Sequence, residues 1–109
     1  MSAEAEKAFA RLAREFLKFP DVSLGHGKGG FGENALNVRG KIFAMLTSKG
    51  QFSVKLPRER VSSLVASGDG HPLTMANRQM KEWLVVSSKS TLSWKALAAE
   101  AHAFLAKGA

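Results

Sequence analysis

LNVRGKIFAMLTSKGQFSVKL, residues 36–56, alternates apolar and polar side chains with a period of two, the pattern of strands that turn one face to a core. Leu36 and Val38 alternate with Asn37 and Arg39, Ile42, Ala44 and Leu46 with Phe43 and Met45, and Phe52, Val54 and Leu56 with Ser53 and Lys55. This predicts three strands. The alternation sends Ile42, Ala44 and Leu46 to the core and leaves Phe43 and Met45 on the opposite face as apolar residues with no place in it. Arg39-Gly40 and Lys49-Gly50 stand where two-residue hairpin turns need a glycine that accepts positive φ, so the segment reads as an antiparallel meander.

Upstream, Ala5, Phe9, Leu12, Ala13 and Phe16 recur at helical spacing, with Lys7, Arg11, Arg14 and Lys18 facing elsewhere. Ser2 is placed to cap this helix, and Pro20 ends it near Lys18 or Phe19. Between helix and meander lies HGKGGFG, residues 26–32, and Gly25 to Gly30 fit the G-x-G-x-x-G string of dinucleotide loops. That motif cradles an anion only where a helix opens just after the glycines, and none begins after Gly32. The stretch therefore reads as a connector, with Lys28 left as a point charge and Phe31 as the aromatic expected to be exposed.

Downstream, Pro57 suits a first helical position, and Val61, Leu64 and Val65 form the stripe of a short helix over residues 57–67, broken by Ser67-Gly68-Asp69-Gly70. Residues 73–76 read as a short strand. Lys81 to Ser87, apolar through its centre, reads as a strand buried on both faces and paired with it as a second hairpin. A last amphipathic helix runs from about Ser93 to Lys107. The result is an α+β fold, an antiparallel sheet with helices packed on one side in the order α-β-β-β-α-β-β-α, as a single domain over residues 1–109.

The chain of 109 residues carries 16 Lys and Arg against 9 Asp and Glu, a formal charge of +7. Such an excess attracts polyanions, nucleic acid first. With no cysteine, disulfides, zinc–cysteine sites and thiol chemistry are excluded. No apolar run approaches a membrane span and the N-terminus lacks a signal-peptide core, so a soluble, cytoplasmic protein without membrane association is expected. His26, His71 and His102, with Asp21, Asp69 and the serines, form no catalytic or metal-binding motif, so neither an enzyme nor a cofactor is expected. Trp83 in its strand and Trp94 at the head of the last helix read as core residues, the alternative being platforms for stacked bases.

Gly40-Lys41-Ile42-Phe43-Ala44, the Phe52 to Leu56 strand running into Pro57, and Met80-Lys81-Glu82-Trp83 before a valine-rich strand resemble the MmcQ/YjbR family, within the frataxin-like (CyaY-like) superfamily. The resemblance spans roughly residues 5–107 and implies a double-wing DNA-binding domain. Its wings match the turn Arg39-Gly40-Lys41 or Lys49-Gly50, and the stretch Asn77 to Lys81. Arg39, Lys41, Lys49, Arg78 and Lys81 are accordingly the candidate phosphate-contacting residues, with Asn77 and Gln79 in reach of a base edge. The plainer alternative for these turns is solvated charge that blocks edge pairing. Frataxins bind iron through an acidic first helix, whereas here Glu4, Glu6 and Glu15 interleave with cations, so the resemblance does not carry iron over. A protein-interaction module is the other class left open, with Phe43 and Met45 as the apolar residues that would betray it.

Overall fold

Arg39 and Gly40 both adopt positive φ, 53° and 81°, and form the tight hairpin turn that the meander requires. The computed structural model describes residues 3–25, 35–47 and 49–107. In chain order the elements are α1 (Ala3–Phe16), β1 (Val22–Leu24), β2 (Ala35–Val38), β3 (Lys41–Leu46), β4 (Phe52–Lys55), α2 (Arg58–Ala66), β5 (Gly70–Met75), β6 (Arg78–Val86) and α3 (Trp94–Lys107). This is the α+β order predicted from the sequence, with the three-residue β1 added. All six strands form one antiparallel sheet, ordered β1-β2-β3-β4-β6-β5.

The helices share one face of the sheet. Phe9, Leu12 and Phe16 of α1, Val61 and Leu64 of α2, and Leu97, Ala98 and Ala101 of α3 pack with Leu36, Ala44, Leu46, Phe52, Val54, Leu84 and Val86 in one core. Phe52 lies between Phe9 and Trp94, the second ring stacked on it at 4.6 Å and 10°. Ser93 caps α3, its Oγ accepting from the Ala96 N–H at 3.2 Å. The opposite face, helix-free among the described residues, carries a smaller cluster of Ala35, Met45, Leu73 and Val85, against which Ile42, Met80 and Trp83 pack.

Two departures from simple alternation shape the sheet. Leu36 pairs with Ala44 but Asn37 with Ile42, so Phe43 is an extra residue in β3. The bulge turns Phe43 to the helix face beside Ala44, where it is fully buried 5.7 Å from the Phe16 ring, while Ile42 goes to the other face. Phe43 is thus a core residue and not the unplaced apolar side chain that strict alternation predicts. Met45 does lie on the opposite face, but it is buried there under the small cluster.

The second departure lies in the long hairpin. Pro72 pairs with Leu84 and Leu73 with Met80, so Lys81, Glu82 and Trp83 have no residue of β5 opposite them. Ala76 and Asn77, at φ 51° and 64°, make the turn itself, and both strands run up to it. β6 therefore begins at Arg78 and not at Lys81, while β5 gains its length at the end away from the turn, starting at Gly70 and not at residue 73. Gly70, where β5 begins, sits so close to β6 that a Cβ there would meet the Val85 carbonyl oxygen at 2.2 Å.

Candidate nucleic-acid interface

In an antiparallel sheet successive turns lie at alternate ends, so strand order decides which basic residues can meet. The Arg39-Gly40 turn, the end of β4, the start of α2 and the Ala76-Asn77 turn all fall at one end. Lys49 falls at the other. Its turn is also longer than the two residues expected: Thr47 N–H donates to the Gln51 carbonyl at 2.8 Å, Gly50 N–H donates to the Thr47 carbonyl at 2.8 Å, and Gly50 takes φ 76°.

Four cations converge at the first end. Lys55 from β4, Arg58 from the first turn of α2, and Arg78 and Lys81 from β6 line one groove of about 390 Å³, together with Glu82 and Trp83. An adjoining groove of about 410 Å³ shares Arg58, Gln79 and Lys81 and continues over Val61, Val65 and Pro72. Lys55 faces Glu82 at 3.9 Å. Arg58, Arg78 and Lys81 enter no ion pair among the described residues, so their charge is available to an outside anion. Arg39 and Lys41 are exposed at the same end but outside this groove, and Arg39 is engaged by Asp21 at 3.5 Å. Asn77, exposed at the turn, is likewise outside it, whereas Gln79 lines both grooves.

Of the five candidate residues, then, the fold brings Arg78 and Lys81 together, leaves Arg39 and Lys41 nearby and separates Lys49. Lys55 and Arg58 were not anticipated. Their signal was Lys55-Leu56-Pro57-Arg58 itself: a strand that ends in a lysine and passes through one proline into a helix begun by arginine must hold both cations at one end of the sheet. Lys28, Phe31 and the Gly25 to Gly32 anion-loop motif fall almost wholly outside the described residues.

Asp69 and Arg60 tie elements of the fold together. Asp69 accepts from Ser67 Oγ and from Ser90 Oγ at 2.8 Å, and its carbonyl accepts the Ser87 N–H at 2.8 Å, tying the end of α2 to the β6–α3 connection. These side-chain bonds, that from Ser67 foremost, hold the Asp69 carboxyl below the usual carboxylate value. Arg60 forks onto both Glu100 carboxylate oxygens at 2.9 and 3.1 Å, which joins α2 to α3 and raises the Arg60 guanidinium further. His102 lies among Phe16, Phe19 and Phe43, stacked on Phe19 at 4.9 Å. His71 is exposed, and His26 lies outside the described residues. Among the described residues no group of three or more His, Asp or Glu is placed to hold a metal ion, and no helix is long and apolar enough to cross a membrane. Set against family models, curated proteins and solved structures, the chain matches none of them.

Proposed function

We propose that this chain is a cytoplasmic, non-catalytic nucleic-acid-binding protein of the MmcQ/YjbR type, of low sequence specificity, which holds the phosphate backbone at the basic end of its sheet. What supports the reading is the groove lined by Lys55, Arg58, Arg78 and Lys81, three of them outside any ion pair among the described residues, on a chain of net charge +7. Point charges on separate elements neutralise phosphates without reading bases, which gives affinity with little specificity. Arg39 and Lys41 extend the same positive field.

The test is fluorescence anisotropy of labelled oligonucleotides across a salt series, for the parent protein and the double variant Arg78→Ala, Lys81→Ala. The expected slope of log K against log salt is about −3 or steeper, reduced by about two in the double variant. Lys49→Ala, at the far end, is expected to change little. Absence of binding at low salt overturns the reading.

The rival reading is a protein-interaction module. It draws on Met75, 45% exposed beside a groove on the helix-free face floored by Met45, Leu73 and Val85. Apolar association of that kind survives high salt, so the same salt series separates the two.

A further inference from the structure

The basic groove contains an aromatic ring as well as cations, and the pair narrows the ligand. Trp83 is half-buried: part of it packs on the cluster of Ala35, Met45, Leu73 and Val85, and part lines the groove with Arg58, Arg78 and Lys81. It is held there by backbone. Trp83 pairs with Lys55 of β4, the Leu56 N–H donates to the Glu82 carbonyl at 2.9 Å, and no residue of β5 stands opposite Lys81, Glu82 or Trp83. Departures from regular pairing of this kind interrupt the ladder locally and re-aim side chains.

A duplex offers such a recess phosphates, sugars and base edges but no open base face, because its bases are stacked inside. A single strand offers flat base faces flanked by phosphates, and an indole among cations matches both. The one acid in the groove, Glu82, faces Lys55 at 3.9 Å, which offsets its repulsion of phosphate. The adjoining groove carries Val61, Val65 and Pro72, an apolar floor for a neighbouring base.

Resting on the nucleic-acid reading above, we infer that this groove takes single-stranded nucleic acid, one base stacked on Trp83 and the flanking phosphates held by Arg58, Arg78 and Lys81.

Labelled oligo-dT, oligo-U and a duplex of equal length would be titrated at low salt with the parent protein, Trp83→Leu, Trp83→Phe, and Arg78→Ala, Lys81→Ala. Single strands are expected to bind at least about fivefold tighter than duplex, and Trp83→Leu to lose about fivefold or more on single strands alone, with Trp83→Phe retaining most of the affinity. Stronger binding of either oligo-dT or oligo-U supports the inference and assigns the sugar. Should Trp83→Leu fail to fold, the decision passes to Trp94→Phe, in which Trp83 is the remaining one of two tryptophans and its emission should quench on saturation with oligo-dT. Equal affinity for strand and duplex, or unquenched emission at saturation, overturns the inference while the double variant still weakens binding and upholds phosphate contact. No binding by the parent protein at low salt overturns both.

Discussion

Ser53 has a hydroxyl left unsatisfied among the described residues: it is fully buried in β4, between Met45 and Val85 of the flanking strands, and its Oγ finds no partner there. A desolvated, unpaired hydroxyl costs more than it returns, so Ser53→Ala is expected to raise stability by about 0.5–1 kcal/mol, read as a higher urea midpoint at unchanged slope. Phe43 is the opposite case. Its ring fills the space between Phe16 and His102, 5.7 and 5.5 Å away, and Phe43→Ala is expected to cost about 3–5 kcal/mol in the same measurement. Alternation alone would have put that cost near zero. The bulge that reverses the expectation leaves no trace in a window of local pattern, because it arises from pairing with β2 and from the cavity that α1 and α3 leave.

At the scale of elements, Asp69 joins α2, β5 and the connection to α3, and its linkage to pH has a definite sign. Its folded pKa lies below the ordinary value of 3.8, so the stability it contributes is complete above that value and is lost as the pH falls through the folded value. Asp69→Asn is therefore expected to lower the melting temperature most above about pH 5 and progressively less in acid, as thermal melts between about pH 2 and 7 would record. Most elements were legible from local pattern. The helices and the meander were read from periodicity, and Gly40 and Gly50 from turn chemistry, both glycines standing at positive φ. Strand β1 was not legible, since Val22-Ser23-Leu24 is too short to show alternation and exists by pairing with β2. The early start of β6 escaped because Ala76 and Asn77 carry no glycine to announce their turn, and that of β5 because Gly70 and Pro72 read as breakers.

At the scale of the molecule, the basic end is a product of topology. Net charge, and the identity of Arg78 and Lys81, were available in the sequence, but the company of Lys55 and Arg58 depends on β4 lying beside β6, a neighbour 23 residues away from Lys55 at Arg78. Lys49 shows the converse, a turn cation close in sequence and placed at the far end by the parity of the meander. The two margins of the sheet are β1, three residues long, and β5, where Pro72 removes one donor. A protein that gathers along a polyanion is forced to high local concentration, the condition under which bare strand margins seed cross-β fibres. Pro72→Val restores the missing donor and is expected to shorten the lag of thioflavin-T-positive growth while moving the melting temperature little. On the nucleic-acid reading proposed above, the proline would let the chain crowd on its ligand without polymerising.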